Sequence, residues 1–557
     1  MTDLKIPVGI SDFAKIRNYD YYYVDKTGLI EELLENETAE VTLITRPRRF
    51  GKTMGMNMLA NFFDIRKDSK AMFAGLQISK NAALCKEWMN QWPVVFLSFK
   101  NIDGNKFSLA YQQMVYEIGL LYDSYSELLT SNKLSEDDKS LFLQLKRRTA
   151  NEIDVLRSIQ FLLSLLYKHY GKTVILLLDE YDVPLAKSSA HGYYPDMLNV
   201  IKSMMTTSLK DNNTLRFAVI TGCLRIAKES IFTGTNNFVS DTISSSHLNE
   251  YFGFTQADVD QILKDADCME HADDIKNWYD GYHFGDLDVY CPWDVMNYLR
   301  DLQRNPKAKP ASYWKNTSDN SIIRSFIDYA GHSISRKLEI LLSGGYILQR
   351  IEENLTYDYL HSSEENLWSI LYLTGYLTQA REEDLPEPLP EGSSALMIPN
   401  AEVREIFETT IQKWFDESAQ TWNRKALFDA VWSGDTETLT KEMNKLLRKT
   451  ISYHDYREDF YHAFLAGIFA GAGYEVDSNK EHGEGRSDVV VLDPEGDRVA
   501  IFEAKYSRTQ DAMPRDCAAA LQQIEDRQYA KEFEEDYDSI LCYGIAFYKK
   551  RCLVQTK

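Results

Sequence analysis

Four short apolar runs dominate the first half of the chain and predict strands buried in a sheet. The runs are VTLIT (41–45), VVFLSF (94–99), VILLLDE (174–180) and LRFAVITG (215–222). Such β-branched and nearly continuous apolar runs are typical of parallel strands that are covered on both faces. Long helical stretches separate them, for example 108–129 and 153–170. This alternation predicts a doubly wound α/β domain with a parallel sheet.

The pattern changes at about Tyr251, where amphipathic helices with short loops begin. Examples are FTQADVDQILKDA, WDVMNYLRDL and IIRSFIDYA. The Pro- and acid-rich stretch at 381–392 predicts a hairpin or surface loop, and a second helical region follows over 402–448. The last segment alternates helices and strands in an order of its own. We therefore expect an α/β protein of three parts: 1–250, a mainly helical lid or winged-helix-like region at 251–445, and a small α/β domain at 446–557.

The composition narrows the class of protein. Hydrophobic residues make up 44% and charged residues 26%, which excludes wholesale disorder. Lys and Arg number 62 against 84 Asp and Glu, for a net charge of −22, which argues against nucleic-acid binding by the whole surface but permits a local basic groove. The seven cysteines are scattered without a CxxC pair, and neither a secretory signal nor a membrane span is recognisable. We expect a cytoplasmic protein without a membrane partner.

The first candidate site is the segment RPRRFGKT, residues 46–53, between a predicted strand and a predicted helix. It matches the end of GxxxxGK[ST], with Arg46 in place of the first glycine. Gly51 lets the backbone approach phosphates, Lys52 supplies a charge to them, and the Thr53 hydroxyl is a Mg²⁺ ligand. Because the first glycine is missing, the segment alone is compatible with either a nucleotide cradle or a chance loop.

Two acids support the nucleotide interpretation. Asp179 and Glu180 end the apolar run at 174–180, and the carboxyl end of a parallel strand is where ligands bind. Asp179 would hold Mg²⁺, and Glu180 would polarise the attacking water; the alternative is that Asp179 caps the next helix. Thr221 and Arg225 follow the next strand. They either sense the γ-phosphate and stabilise transition-state charge, or are a polar strand end and a surface arginine.

Several motifs together resemble the AAA-ATPase-like proteins, P-loop ATPases related to the STAND and archaeal ATPase groups. The motifs include IPVGISDF, YYYVDKTGLI, TRPRRFGKT, LLLDEYDVPL, TGCLRIAKESIFTGTNNF, WYDGYHFG and YCPWDVMNYL. Arg46 is part of the family pattern, so it does not count against nucleotide binding. The resemblance implies that ATP and Mg²⁺ are bound by the loop together with Asp179 and Glu180; the loop residues are Arg46, Pro47, Arg48, Arg49, Phe50, Gly51, Lys52, Thr53 and Met54. Thr221 remains a further candidate for nucleotide binding.

Other residues of these motifs have open roles. Asp25 and Lys26 lie near the nucleotide or form an ion pair that seats the N-terminal segment. The cluster of Trp278, Tyr279, Tyr282 and His283 builds a lid or joint, or is ordinary core, and ordinary core is the favoured interpretation.

The second candidate site lies near the C-terminus, where Asp488 begins one strand and Glu503 and Lys505 end the next. A Pro- and Gly-containing turn at 493–497 joins the strands, which predicts a hairpin. Glu503 and Lys505 are two residues apart and point to one face. Two carboxylates and a lysine suit metal-assisted phosphodiester hydrolysis, with Asp488 and Glu503 binding Mg²⁺ or Mn²⁺ and Lys505 orienting a water. The pattern alone is weak, because acids and lysines are common on strands.

The last hundred residues also resemble the PD-(D/E)XK nuclease superfamily domain. The resemblance rests on FYHAFLAGIFAGAGYEVDSNKEHGEGRSDVVV, IFEAK and ALQQIEDRQYA. It implies a nuclease site of Asp488, Glu503 and Lys505, with Glu458 on the first helix and Gln523 on the helix after the strands.

These sites lead to two main hypotheses. In the first, an ATPase regulates a metal-dependent nuclease on the same chain, with ATP and DNA or RNA as partners. In the second, the chain is a nucleotide-controlled switch or scaffold whose nuclease-like domain binds nucleic acid or protein without cleaving it. A bland alternative is a cytoplasmic multidomain protein with a degenerate loop. Self-assembly into a homo-oligomer is left open.

Overall fold

We describe the protein from a computed structural model. It describes the whole chain except residues 1–3, 36–38, 226–237, 315–336, 339, 356–362, 421–424, 451–460, 462–463, 467, 470–473, 479–480, 483–484, 487, 535 and 550. The chain divides into two units, the first made of Met1–Ser318 and Tyr346–Arg404 and the second of Asp319–Gly345 and Glu405–Lys557. The expected middle region at 251–445 therefore contributes residues to both units.

The main sheet of the first unit has five parallel strands. They are β1 (Val41–Thr45), β2 (Val94–Ser98), β3 (Val174–Asp179), β4 (Leu215–Gly222) and β5 (Phe238–Asp241). Their order in space is β2-β3-β4-β1-β5, and every pairing is parallel. Four strands coincide with the apolar runs, which confirms the predicted parallel sheet. The sequence did not predict β5, because FVSD is short and only its last residue is buried.

Helices connect the strands of this sheet and also occur in the rest of both units. In chain order they are α1 (Phe13–Asn18), α2 (Gly28–Glu35), α3 (Lys52–Phe63), α4 (Lys70–Phe73), α5 (Ala82–Trp88), α6 (Phe107–Asp123), α7 (Glu136–Lys146), α8 (Glu152–Leu156), α9 (Ser158–Tyr170), α10 (Val183–His191), α11 (Tyr194–Leu209), α12 (Gln256–Ala266), α13 (Ala272–Tyr279), α14 (Pro292–Arg304), α15 (Glu364–Leu373), α16 (Ala401–Gln420), α17 (Lys425–Ser433), α18 (Thr436–Thr450) and α19 (Met513–Asp526). All six residues of β3 are buried, and β3 contacts both α3 and α9. This burial explains why its sequence is apolar throughout.

The rest of the first unit is built from α12, α13 and α14 and from two small sheets. One sheet pairs β6 (Tyr282–Phe284) with β7 (Leu287–Val289), and the other has the order β8 (Ile347–Gln349), β10 (Ser394–Met397), β9 (Thr378–Gln379). Strands β9 and β10 are antiparallel and flank 381–392, so the hairpin predicted there is confirmed. The expected helix IIRSFIDYA lies outside the described residues.

The second unit contains a five-stranded sheet. Its strands, in spatial order, are β11 (Glu475–Ser478), β14 (Val489–Asp493), β15 (Arg498–Tyr506), β16 (Ser539–Tyr548) and β17 (Arg551–Thr556), and a separate pair is β12 (Glu481–His482) with β13 (Gly485–Arg486). The predicted hairpin is confirmed by the antiparallel pairing of β14 and β15, while β15 and β16 are parallel. The helix predicted between them is α19. The structure is therefore the mixed α/β fold that the sequence predicted.

Across the described residues, no helix is both long enough and apolar enough to cross a bilayer.

Arg46 is buried in the core of the first unit, behind the loop that follows β1. Its guanidinium donates to Asp241 Oδ1 at 2.5 Å, to the Asp241 carbonyl at 3.2 Å and to the Thr45 carbonyl at 2.9 Å. The guanidinium carbon of Arg46 also lies 5.5 Å from the ring centroids of Phe252 and Phe284. The ion pair therefore ties the end of β1 to the end of the neighbouring β5. Burial lowers the pKa of Arg46, and the Asp241 carboxylate opposes that shift.

We predict that Arg46→Ala destabilises the first unit. The substitution leaves the buried Asp241 charge without its cation, and such losses cost about 3–5 kcal/mol in free energy of unfolding. Urea denaturation followed by tryptophan fluorescence measures the change. The control is Arg304→Ala, since the Arg304 side chain is 72% exposed. Equal, small effects of the two substitutions would contradict a structural role for Arg46.

Candidate functional site

The loop between β1 and α3 ends in a helix N-terminus that is open on one side. Gly51 caps α3 with φ of 84°, and no atom lies within 4 Å of the position that a Cβ would take. Glycine is thus favoured here by its backbone conformation, and there is room for a ligand to approach. Arg49 also has a positive φ, 72°, which is strained for a residue with a side chain. The free N–H groups of the first turn of α3 make this end of the helix suited to anions.

Lys52 lies across this loop. Its ammonium group donates to the carbonyl oxygens of Arg46 at 2.8 Å and Pro47 at 2.7 Å. Cys223 Sγ, just beyond β4, is 3.7 Å from the same nitrogen. The loop carbonyls therefore hold a positive charge at the centre of the cradle. Cys223 was not anticipated from the sequence as a neighbour of Lys52.

Asp179 collects hydrogen bonds where the central strands end. The carboxylate is fully buried, and its Oδ2 accepts from Thr53 Oγ1 at 2.9 Å while Oδ1 accepts from Thr221 Oγ1 at 2.6 Å. Ser98 Oγ lies 3.3 Å from Oδ2. Thus the structure brings Thr53, Asp179 and Thr221 together as the sequence predicted. Ser98 was missed, although its position at the end of the apolar run of β2 is the same signal that identified Asp179.

Glu180 lies next to this network and lines a cavity in front of the loop. Its φ is 54°, an uncommon left-handed conformation for glutamate. Burial, reinforced by the neighbouring Asp179, raises the pKa of Glu180 above the usual carboxyl range. A carboxyl group with a raised pKa is a stronger base when ionised, which suits proton abstraction from water. Arg225 is half-buried and is not among the described residues that line this cavity.

The cavity has a volume of about 420 Å³ and a charged end at the loop. Residues 48–54 of the predicted loop line it, whereas Arg46 and Pro47 do not. Pro47 instead lies against Gly375, where an added Cβ would come within 2.8 Å of the proline Cβ. Of the predicted nucleotide-binding residues, Arg46 and Pro47 therefore have side chains that support the loop from outside the cavity.

An N-terminal strap, residues 7–11, forms part of the cavity wall. Lys26 both lines the cavity and donates to Asp258 Oδ2 at 2.6 Å and to the Glu250 carbonyl at 2.7 Å. Asp25 accepts hydrogen bonds from the backbone N–H groups of Thr27 and Gln77. Lys26 therefore lies at the cavity, and its ion pair is with Asp258 and not with Asp25. Through these separate hydrogen bonds both residues fasten the segment after the strap.

The aromatic motif at 278–284 fixes the loop from the other side. The Phe50 ring meets Tyr282 edge to face, with the ring centroids 4.9 Å apart, and packs on Phe284, with the ring centroids 5.1 Å apart. Tyr282 is buried, which agrees with the core interpretation of this motif. Gly281 has φ of 90°, and a Cβ there would collide with the Pro399 carbonyl. The motif is thus a scaffold that holds Phe50.

Two buried carboxyl groups, Asp294 on α14 and Glu402 on α16, form a hydrogen-bonded pair. Glu402 also accepts from the Trp314 backbone N–H at 2.8 Å. Burial raises the pKa of both groups. The Asp294 carboxylate raises the pKa of Glu402 further, whereas the hydrogen bond from Glu402 lowers the pKa of Asp294, so the pair holds a proton on Glu402 at neutral pH. The sequence did not suggest this pair, because its members are 108 positions apart and each looks like an ordinary acid in a first helical turn.

The second candidate site lies on one face of the sheet of the second unit. Val489 pairs with Phe502, so Asp488 lies across from Glu503. Asp488 Oδ2 accepts from the Ala504 backbone N–H at 2.7 Å, and Lys505 Nζ is 3.0 Å from Glu503 Oε1. The structure therefore brings together all three residues that the sequence placed in this site.

Helix α19 covers the same face. Its Ile524 joins a cluster with Val499 and Ile501, which share the alternating face of Glu503. Gly544, the register partner of Glu503 on β16, permits this approach, since a Cβ there would meet the Cys517 carbonyl of α19 at 2.4 Å. Gln523 is half-buried on this helix.

A divalent cation fits the chemistry of this site in part. Asp488 and Glu503 supply hard oxygen atoms on adjacent strands. The third expected acid, Glu458, lies outside the described residues. Within the described part of the chain, no group of three or more His, Cys, Asp or Glu is arranged to hold a metal ion. A basic groove at this site would need cations that are available to phosphates, but Arg498 is paired with Asp493 and Arg515 with Asp516.

Two family models match the regions of the chain that contain the two candidate sites. A family model described as a predicted AAA-ATPase matches residues 7–232, and a model of the PD-(D/E)XK nuclease superfamily matches residues 456–557. A protein from Azotobacter chroococcum mcd 1, described as an uncharacterized protein in the vnfD 5' region, is 26% identical over 565 residues; the match spans 98% of this chain and 97% of that protein. The chain thus combines a predicted AAA-ATPase domain with a PD-(D/E)XK nuclease superfamily domain, as the resemblance implied.

We predict that Glu402→Gln makes the first unit less sensitive to alkaline pH. A group whose pKa is raised by folding stabilises the protein below its ordinary pKa of about 4.3, and this contribution is lost as pH rises toward the folded pKa. Glutamine does not titrate and can donate to Asp294. Relative to the unsubstituted protein, the free energy of unfolding of the variant should increase by about 1 kcal/mol or more between pH 5 and pH 9.

Urea denaturation at both pH values measures this difference. The matched control is Glu408→Gln, an exposed glutamate on the same helix. A difference that does not change with pH would show that Glu402 is ionised in the folded protein.

Proposed function

We propose that the first unit binds and hydrolyses ATP with Mg²⁺, and that its nucleotide state regulates a metal-dependent nuclease site in the second unit. The observation that carries the first part is the hydrogen bond between Thr53, which lines the cavity beside Lys52, and the buried Asp179. A hydroxyl and a carboxylate in contact at the start of a phosphate-loop helix are the pair expected to hold Mg²⁺ against phosphate oxygens.

The residues of the first site would then have distinct roles. Lys52 exchanges its two loop carbonyls for phosphate oxygens, and the N–H groups of the first turn of α3 donate to the same phosphates. Thr53 and Asp179 hold Mg²⁺, which neutralises charge on the phosphates. Glu180 orients the attacking water and accepts its proton, a role that its raised pKa supports. Thr221, bonded to Asp179, keeps that carboxylate in position and would respond to the γ-phosphate.

In the second unit, Asp488 and Glu503 would hold Mg²⁺ or Mn²⁺, and Lys505 would orient a water toward a phosphodiester of DNA or RNA. The convergence of these three side chains on one face supports this assignment. Bound metal would lower the pKa of that water and polarise the phosphate. Gln523 on α19 would contact the substrate or the water from the helix side. The free state of all seven cysteines agrees with a reducing cytoplasm as the compartment.

A second function is favoured by the electrostatics of the second unit. Lys505 forms a salt bridge with Glu503. Arg498 and Arg515 form salt bridges with aspartates, and the whole chain carries a net charge of −22. Affinity for nucleic acid comes mainly from cations that contact phosphates. The alternative is therefore a nucleotide-controlled switch or scaffold whose nuclease-like domain binds nucleic acid or protein and does not cut.

For the first site, we predict that Lys52→Ala lowers the affinity for MgATP at least about tenfold, because a charge-assisted contact to phosphate is lost. Glu180→Gln should retain binding and slow hydrolysis about 10²- to 10⁴-fold, since it removes only the general base. Calorimetry and phosphate release measure the two effects. The control is Lys276→Ala, an exposed lysine on α13. Unchanged binding by Lys52→Ala would contradict the nucleotide assignment.

For the second site, we predict that plasmid, single-stranded DNA or RNA is cleaved only with Mg²⁺ or Mn²⁺ and that Glu503→Ala abolishes cleavage. The rate should differ with and without ATP, and Lys52→Ala should remove that difference. Glu534→Ala, which changes an exposed acid of the same unit, is the control. Equal cleavage by Glu503→Ala would disprove the site, and no cleavage under any condition would favour the non-cleaving alternative.

A further inference from the structure

The wall of the cavity in front of the phosphate loop also includes apolar side chains that a triphosphate does not explain. They are Ile10, Met58, Phe254, Trp293 and Met296. A triphosphate held by Lys52 and Thr53 would contact the loop. A flat, apolar group attached to that triphosphate would lie against the apolar side chains, since apolar surfaces associate in water.

Trp293 is the aromatic side chain with the features of a ligand platform. It is half-buried in the first turn of α14 and lines the cavity. Its indole Nε1 is shielded from solvent and has no hydrogen-bond partner in the described part of the chain. A buried donor of this kind is costly unless an acceptor reaches it. The strap passes close by, because a Cβ on Gly9 would lie 3.8 Å from Trp293 Cζ3.

The face of Trp293 is occupied by an arginine of the phosphate loop. The Arg49 guanidinium carbon lies 3.8 Å from the centroid of the indole ring, a close cation–π stack. Arg49 is only two positions before Gly51, so its backbone belongs to the cradle. Burial lowers the pKa of Arg49, and the nearby Asp294 and Glu402 carboxyl groups oppose that shift. Arg49 thus stacks on Trp293 at the cavity wall, and a polyphosphate at the loop would offer its guanidinium stronger, charged partners.

We propose that Trp293 is the stacking platform for the base of the bound nucleotide, and that Arg49 covers this platform until a triphosphate draws its guanidinium away. This inference rests on the proposed nucleotide site and adds how the base is recognised. A guanidinium forms paired, charge-assisted hydrogen bonds with phosphate oxygens, which are stronger than its contact with an indole. Phosphate binding thus uncovers the surface on which the base stacks.

The arrangement also implies which ligands bind. Stacking accepts any flat base, and a purine covers more of the indole than a pyrimidine does. A nucleoside without phosphates has nothing to displace Arg49, so it binds poorly. The site is therefore specific for purine nucleoside triphosphates over both nucleosides and inorganic polyphosphates.

The test compares three ligands on the full chain by calorimetry: MgATP, inorganic tripolyphosphate with Mg²⁺, and adenosine. Trp293→Ala should lower the affinity for MgATP about 10- to 100-fold and leave the affinity for tripolyphosphate unchanged. Trp293→Phe keeps an aromatic face, so its affinity for MgATP should stay close to that of the unsubstituted protein. Arg49→Ala should lower the affinity for tripolyphosphate and raise the affinity for adenosine. A merely structural defect in Arg49→Ala would not change the affinities for two ligands in opposite directions. Unchanged tripolyphosphate binding by Trp293→Ala would show that this variant is folded.

The outcomes separate this inference from the proposed function. If the unsubstituted protein binds tripolyphosphate and Lys52→Ala does not, the phosphate site stands. If Trp293→Ala then binds MgATP as tightly as the unsubstituted protein does, the platform is wrong. Weakening of both adenosine and tripolyphosphate by Arg49→Ala would disprove the covering role. If the unsubstituted protein binds neither MgATP nor tripolyphosphate, the nucleotide assignment fails and this inference fails with it.

Discussion

The buried carboxylate of Asp179 lies where the central strands of the first unit end. The rest of the site depends on the hydrogen bonds that this carboxylate accepts. Burying Asp179 would be prohibitive without hydrogen bonds. Its donors come from the start of α3 and the end of β4, with Ser98 at the end of β2 close by. Those groups meet only if the strands are parallel and in this register. The network therefore couples the fold of the sheet to the position of Thr53, and through Thr53 to the loop that carries Lys52.

The substitution of arginine for glycine at the start of the loop has a structural explanation. The Arg46 side chain turns away from the cavity to Asp241, and Phe50 is held among Tyr282 and Phe284. The loop is thus anchored from behind at two points. This anchoring leaves Arg48 and Arg49 on the side of the cavity. A loop with glycine at the first position would lack the ion pair with Asp241 at the end of β5. Arg46 therefore fixes the start of the loop in position.

The sequence predicted what depends on local pattern and missed what depends on distant partners. Apolar runs located four strands of the main sheet, and the two-residue period placed Glu503 and Lys505 on one face. Asp294 and Glu402 could not be paired, because the pairing needs tertiary contacts that no local pattern encodes. The same holds for Arg46 and Asp241, which lie 195 positions apart. Ser98 is a different case, because the rule that selected Asp179 would have selected it too.

The distribution of charge sets how the two sites can attract phosphates. On a chain with a net charge of −22, attraction for a polyanion must come from local groups. The loop achieves this with four cationic residues in the eight positions 46–53, although only Arg48, Arg49 and Lys52 face the cavity. In the second unit, Lys505 contacts the very carboxylate expected to bind metal. A divalent cation at Glu503 would compete for that carboxylate and release the lysine toward phosphate. Metal bound there would change the net charge of Asp488, Glu503 and Lys505 from negative to positive, which would favour the approach of nucleic acid as well as its cleavage.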